Sequence, residues 1–234
     1  PEGELRSLPY RDIRAVIIAA KGVTLTSSFV SAILQEDGVI LHCSPTYQPC
    51  GLTAPLPRII DGTVFEHQIR RLKTLNAKLW ERLLIAKTKN QEAVLASLGA
   101  NSSPITYALR TRRIDEANLA RYYWQQFFPA LGWEGTRRRL DADAAPNQML
   151  NYGYAVLAAL CHRSLLVHGL LPSLGVKHQF RYRFAPLVYD LMEAFRPFVD
   201  YHLALFFKRQ AGCFTDWTKA IGNSLREYRV KHPL

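Results

Sequence analysis

The sequence predicts an α+β fold, with a small β-rich N-terminal region followed by a larger all-helical region. Short apolar runs between turn residues dominate residues 1–62, whereas helical spacing of apolar side chains dominates residues 63–234. The first 62 residues hold five basic and six acidic side chains, so the whole surplus of the net charge of +11 lies in the second region. We therefore predict two domains, with 1–62 as a scaffold and 63–234 as the part that meets a polyanion.

The composition excludes two broad classes of protein. With 48% hydrophobic residues, a chain of this length buries a real core, which excludes wholesale disorder. The long uncharged stretch at residues 144–162 contains three Asn or Gln residues, so no membrane-spanning helix is predicted. The four cysteines show no C-x-x-C spacing, which favours reduced thiols in a cytosolic protein.

The N-terminal region predicts two strands and one helix. Apolar runs at residues 15–20 and 39–43 read as strands, and residues 26–34 between them have helical spacing. Dense glycine and proline from Pro45 to Gly62 predict irregular chain and a domain boundary.

The second region predicts several helices. One long helix would bury a single face, formed by Phe65, Ile69, Leu72, Leu79, Leu83 and Ala86. Further helices are predicted at about 115–128, 147–168, 186–207 and 215–229.

The few acidic residues of the basic region have both structural and chemical interpretations. Asp115 and Glu116 precede a helix, where the first could cap it and the second could lie against its positive end. Asp190 and Glu193 share a helix face and could hold a hard cation, although Glu193 could equally pair with Arg196 on the surface.

The neighbouring histidine and arginines are equally ambiguous taken alone. His178 ends a Gly/Pro-rich connection, where a lone histidine is more often exposed than a ligand. Aromatic and basic residues then alternate over 180–184, which suits base stacking with phosphate contact, or an extended segment with its arginines in water.

Four segments, in order along the chain, carry a family resemblance. They are Glu116–Trp124 (EANLARYYW), Asn147–Tyr154 (NQMLNYGY), Gly169–His178 (GLLPSLGVKH) and Asp190–Pro197 (DLMEAFRP). In order and spacing they resemble the CRISPR adaptation integrases, the Cas-one family. Weaker similarity at 24–27 and 89–91 extends the resemblance over most of the chain.

The resemblance implies an N-terminal β-sandwich used for homodimerisation, incomplete or unusually small in this chain, and a helical catalytic domain. It implies Glu116, His178 and Glu193 as catalytic residues and ligands of Mg²⁺ or Mn²⁺, with Asp190 as an accessory ligand. Such a set of imidazole and carboxylate donors suits either cation. Asn151 and Tyr152 would support the site, although the tyrosine could instead be core.

The implied reaction belongs to antiviral CRISPR spacer acquisition in the prokaryotic cytoplasm. The 3′-hydroxyl ends of spacer DNA would join repeat DNA by transesterification, and water in place of that hydroxyl would give endonuclease activity. The partners would be double-stranded DNA, a second copy of the chain and the small Cas-two protein, with no membrane. Candidate DNA-binding residues are Arg110, Arg112, Arg113, Arg121, Arg181 and Arg183.

Two other functions remain open at this point. One is a structure-specific DNA nuclease without productive integration. The other is a non-catalytic nucleic-acid-binding module, which the net charge of +11 alone would support.

Overall fold

A computed structural model describes residues 7–20, 22–56, 62–135, 137–141, 145–178, 185–208, 216–218 and 220–221. Its strands are β1 (Ala15–Ile18), β2 (Val39–Cys43) and β3 (Pro49–Thr53). Its helices are α1 (Ser27–Gln35), α2 (Gly62–Ile69), α3 (Lys73–Ser97), α4 (Ser103–Thr111), α5 (Glu116–Ala130), α6 (Asn147–Val167) and α7 (Pro186–Lys208). Within these residues, none of the helices has the length and apolarity that crossing a bilayer requires.

The three strands form one mixed sheet in the order β1-β2-β3. β1 runs parallel to β2, and α1 supplies the crossover that a parallel pair needs. Thr26 caps α1, because its hydroxyl accepts a hydrogen bond from the Phe29 amide at 3.2 Å. Gly38 lets the chain turn into β2, since a Cβ there would lie 2.7 Å from the Ile33 side chain.

β3 falls inside the segment predicted to be irregular, so that prediction is wrong for Pro49–Thr53. The strand lies at the edge of the sheet and pairs only with β2, where a first-position proline is tolerated. The described residues contain this one sheet, so the architecture is α+β but the predicted sandwich stays a prediction.

The predicted long helix is two helices. Residues 70–72 separate α2 from α3, and Ile69 and Leu72 are 66% and 70% exposed. The proposed apolar stripe is therefore not one buried face. α3 instead buries the five residues Lys87, Thr88, Gln91, Val94 and Leu95 near its C-terminal end.

The other predicted helices agree with α5, α6 and α7 to within a few residues. The nine-residue helix α4 was not among the predicted helices. Most of the helix predicted at 215–229 lies outside the described residues, although 216–218 are helical and the buried Trp217 donates to the Met149 carbonyl at 2.9 Å.

The main core lies between α3, α5, α6 and α7, around Tyr123, Phe127, Leu150 and Leu203. A smaller cluster joins the sheet to this core, because Val39 and Leu41 of β2 pack on Ala155 and Ala159 of α6. Alanine on α6 allows the strand to approach closely, so the sheet rests directly on α6, which in turn packs against α7.

Candidate active site

The first three turns of α7 carry the two acids that the sequence places on one face. Pro186 begins the helix, where its fixed φ suits the first turn. Asp190 is completely buried and Glu193 is 8% exposed. Both side chains need partners at this depth, and their partners differ.

Asp190 binds the connection that precedes α7. Its Oδ2 accepts hydrogen bonds from the amides of Val176 and Lys177, and its Oδ1 accepts one from the His178 amide at 3.1 Å. The His178 Nδ1 lies 2.7 Å from the same Oδ1. Burial alone would raise the pKa of Asp190, but the His178 ring and the three amides outweigh it and lower that pKa. The carboxylate therefore orients the histidine and leaves its Nε2 as the nitrogen able to bind a ligand.

Two side chains, one on α2 and one just after it, bind the same connection that precedes α7. Gln68 exchanges two hydrogen bonds with the Leu171 backbone, at 2.8 and 2.9 Å. Arg71 donates to the carbonyls of Leu174 and Gly175 at 3.3 and 2.8 Å. The segment 171–178 is thus bound on both sides, which fixes the position of His178.

Gly175 is required by close packing. A Cβ at this position would lie 2.4 Å from the His178 carbonyl oxygen and 2.8 Å from Pro186. It would also lie 3.0 Å from Asp190 Oδ2, the atom that binds the loop amides. Only glycine lets the histidine loop close onto the start of α7.

Glu116 is the first residue of α5, and the residue before it, Asp115, is the N-cap of that helix. Asp115 Oδ1 accepts from the Asn118 amide at 3.1 Å, which confirms the capping interpretation of Asp115. Glu116 instead reaches across to α3, where its Oε1 lies 2.9 Å from the Lys87 Nζ.

Lys87 also contacts Glu193, at 2.7 Å from Oε2, so one ammonium joins the two acids. Arg196 Nε lies 3.0 Å from Glu193 Oε1 as an ion pair without hydrogen-bond alignment. Burial by itself would raise the pKa of Glu193, but Arg196 and Lys87 outweigh it and hold that pKa below its ordinary value. Glu193 is therefore a buried carboxylate that remains charged.

Glu116, Glu193 and His178 supply two carboxylates and an imidazole, the donor types that Mg²⁺ and Mn²⁺ accept. His178 lies near enough to Glu193 to contribute to lowering its pKa. Among the described residues, no three acidic, histidine or cysteine side chains lie close enough together to hold a metal ion. The donor chemistry fits a divalent cation, and the Lys87 ammonium lies between the two carboxylates.

A groove of about 670 Å³ lies beside His178, between α3, α4 and the histidine loop. Its basic lining residues are Lys73, Lys89, Arg112 and Lys177. Trp80 forms one wall and meets the His178 ring edge-on, with centroids 5.9 Å apart. The groove offers these four cations, the carboxylate of Glu81 and an aromatic surface beside His178.

A model of the family described as CRISPR associated protein Cas1 matches residues 1–222 of the chain. The chain belongs to the Cas1 family. A CRISPR-associated endonuclease Cas1 from Neisseria meningitidis serogroup C is 30% identical over 206 residues, which cover 85% of this chain and 66% of that protein. The chain therefore spans slightly less than two thirds of the length of that relative.

Two solved structures share the fold at low sequence identity. A CAS1 protein from Thermotoga maritima superposes with a TM-score of 0.80 at 15% identity, covering 94% of this chain and 81% of that one. A casposase bound to an integration product gives a TM-score of 0.79 at 21% identity, covering 93% and 72%. The Cas1 fold thus extends over nearly the whole chain.

In this Cas1 family member, the remaining predicted residues occupy three settings. Arg110, Arg112, Arg113 and Arg121 are exposed around α4 and the start of α5, whereas Arg181 and Arg183 lie outside the described residues. Asn151 is buried, where its side chain accepts from Arg138 at 2.8 Å and donates to the Leu140 carbonyl at 3.0 Å. Tyr152 packs edge-on against Tyr47 of the β2–β3 connection, at 5.7 Å.

Sequence reasoning missed Lys87 and Asp200. The predicted buried face of the long helix leaves out Lys87, although a lysine four positions before the buried Gln91 shares its face. Asp200 lies seven residues after Glu193 and is 2% exposed. Its two oxygens accept from the hydroxyls of Tyr154 at 2.5 Å and Tyr123 at 2.9 Å. Nothing in the local sequence distinguishes such an acid from a surface one.

Proposed function

We propose that the chain is a divalent-metal-dependent DNA integrase and endonuclease of CRISPR spacer acquisition. The observation that carries the proposal is the joining of Glu116 and Glu193 through one ammonium, beside a histidine that Asp190 orients. Membership of the Cas1 family and the likeness to a casposase bound to an integration product support it. Because the chain spans slightly less than two thirds of the length of the Neisseria relative, its activity is a proposal.

Three of these residues would bind the metal ion, and a fourth orients the histidine among them. Glu116, Glu193 and the Nε2 of His178 would hold Mg²⁺ or Mn²⁺, which would supply Lewis-acid chemistry at a phosphodiester. Asp190 keeps the imidazole turned towards the acids, as outer-shell carboxylates do. Asp190 as an accessory ligand stays a prediction, since both of its oxygens already bind the histidine loop.

The basic groove would hold the DNA against repulsion from the acids. Its four cations stand next to His178, and the exposed arginines of α4 and α5 extend the positive surface. In the joining reaction a DNA 3′-hydroxyl oxygen would bond to the scissile phosphorus as the bond to the leaving oxygen breaks, which leaves a new 3′-hydroxyl. A homodimer and the Cas-two partner remain proposals that come from the family resemblance.

The test is strand joining on duplex repeat DNA with a 3′-hydroxyl spacer end in Mn²⁺. We expect Glu116→Gln and His178→Ala to lose joined product. The exposed matched controls Glu134→Gln and His67→Ala should join normally. Normal joining by both site variants would reject the assignment.

A structure-specific nuclease is the second candidate, favoured by the endonuclease name of the Neisseria relative. The same reaction run with a 3′-deoxy spacer end separates the two functions. Cleavage that is equal with and without the 3′-hydroxyl, with no joined product, would favour the nuclease.

A further inference from the structure

Lys87 is a buried cation at the centre of the candidate site. Its side chain is 11% exposed, although lysine is almost never buried without a partner. It projects from α3 towards both α5 and α7, and so contacts acids that are 77 residues apart in sequence. Lys73 and Lys78 of the same helix are exposed, whereas Lys87 faces inward.

The Lys87 ammonium occupies the point where a cation is needed. Its Nζ lies 2.9 Å from Glu116 Oε1 and 2.7 Å from Glu193 Oε2. Without a positive charge there, two carboxylates would face each other near the protein interior, which destabilises the folded state. Arg196 lies against the other oxygen of Glu193, and no ion pair within the described residues joins it to Glu116.

The ammonium and a divalent cation cannot use these oxygens together. A metal ion bound by Glu116 Oε1 or Glu193 Oε2 would lie against the ammonium, which would repel it and block its approach. The side chain has room to leave, because Lys87 and Gln91 line a cavity of about 320 Å³ that continues between α6 and α7. The lysine side chain has a flexible stem of four carbons, so it can move its charge without movement of the helix.

We propose that Lys87 is an internal counter-cation of the site, a positioning residue that holds Glu116 and Glu193 together until a divalent cation displaces it. Lys87 thereby weakens the metal affinity of the chain while stabilising the metal-free state. The inference rests on the proposed function only in taking Glu116 and Glu193 as metal ligands. A purely structural ion pair would stabilise the fold without competing with metal.

The first experiment measures Mn²⁺ binding to the full chain by the electron paramagnetic resonance signal of free Mn²⁺. We expect Lys87→Met to bind Mn²⁺ roughly tenfold more tightly than the unaltered chain, because the competing charge is gone. Lys78→Met, an exposed lysine on the same helix, should bind Mn²⁺ as the unaltered chain does. Equal or weaker Mn²⁺ affinity in a folded Lys87→Met variant would overturn the role of Lys87.

Thermal unfolding tests the proposal even if the Lys87→Met variant folds poorly. Lys87→Met should melt at a lower temperature than the unaltered chain without metal, and Mn²⁺ should raise its melting temperature by more. A Lys87→Met chain that folds only with Mn²⁺ supports the proposal. If Lys87→Met and Lys87→Gln both stay unfolded at saturating Mn²⁺, the proposal is overturned, since metal should replace the ammonium.

Lysine acetylation of the unaltered chain tests displacement directly. Lys87 should react slowly without metal and several-fold faster once Mn²⁺ is bound, whereas Lys78 should react equally in both states. Unchanged protection of Lys87 with Mn²⁺ bound would overturn the proposal.

Mn²⁺ binding by the unaltered chain distinguishes a failure of the proposed function from a failure of the proposed role of Lys87. If it binds Mn²⁺ and Glu116→Gln loses that binding, the proposed function survives whatever Lys87→Met does. If neither the unaltered chain nor Lys87→Met binds Mn²⁺, the proposed function fails, and the role of Lys87 fails with it.

Discussion

Glu193 and Asp200 are two buried acids on the same helix, and their surroundings give them opposite character. Glu193 meets the cations Lys87 and Arg196, which hold its pKa below the ordinary value despite burial. Asp200 meets the hydroxyls of Tyr123 and Tyr154, and burial raises its pKa to about 6. Two turns of α7 separate an acid kept charged from one that takes up a proton readily.

The comparison shows that the groups around a buried acid, and not only its degree of burial, decide the direction of its pKa shift. Arg138 and Arg196 also lie near Asp200, but their guanidinium groups sit over the Tyr154 ring, at 5.2 and 4.9 Å from its centroid. Asp200 therefore receives neutral donors directly and positive charge only at a distance. Glu193 has the properties of a metal ligand, whereas Asp200 has those of a structural hydrogen-bond acceptor.

The largest expected effect separates the two acids by metal binding. Glu193→Gln should weaken Mn²⁺ binding by about a thousandfold, or ~4 kcal/mol, because a charged oxygen donor is lost. Asp200→Asn should leave Mn²⁺ affinity within about twofold. The measurement is Mn²⁺ titration followed by paramagnetic resonance, with circular dichroism to verify folding. Similar losses in both variants would break the comparison.

The pH dependence of stability is the next largest effect. The pKa of Asp200 rises from 3.8 to about 6 on folding, so the folded state binds the proton more tightly. The contribution of Asp200 to stability is fully present below about pH 4 and is lost as pH rises to about 6, by roughly 3 kcal/mol. Urea unfolding between these pH values should show that loss in the unaltered chain and not in Asp200→Asn. Parallel pH profiles would contradict the role of Asp200.

Asp190 is expected to show an intermediate effect on metal binding. Asp190→Asn removes the charge that orients His178, and loss of such outer-shell carboxylates costs about 10–100-fold in metal affinity or activity. Asp141→Asn is the matched control, since Asp141 is exposed and forms an ion pair with the exposed Arg139. Mn²⁺ affinity that is lost completely in Asp190→Asn would instead favour Asp190 as a direct ligand.

The smallest expected effect concerns the hydroxyls on Asp200. Tyr123→Phe should cost about 1 kcal/mol in the free energy of unfolding, because one buried hydrogen bond is lost. It should also raise the pKa of Asp200 further, since that hydrogen bond lowers it. Strand joining should be unchanged. Loss of joining without loss of stability would bring Asp200 into the active site.

The sequence predicted most of the helices because amphipathic spacing repeats over long segments such as α6 and α7. It failed at β3, where an edge strand tolerates the glycine and proline that usually mark loops. It failed again between α2 and α3, where apolar residues continue the helical spacing through a break and remain exposed. These outcomes depend on tertiary packing, which local spacing does not record.

The candidate ligands could be named from motifs, but their electrostatic setting could not. Lys87 and Asp200 act through partners that are 29, 106, 46 and 77 residues away in sequence. The roles of Gln68 and Arg71 in holding the histidine loop likewise arise from contacts across 103 residues. The structure adds these pairings and the direction of each pKa.

The binding of the histidine loop on both sides has a thermodynamic consequence. Gln68, Arg71 and Asp190 together fix the backbone from 171 to 178, and Gly175 lets that backbone lie against α7. The conformational entropy of placing the imidazole is therefore lost during folding. Under the proposed function, affinity for DNA would then not be spent on ordering His178.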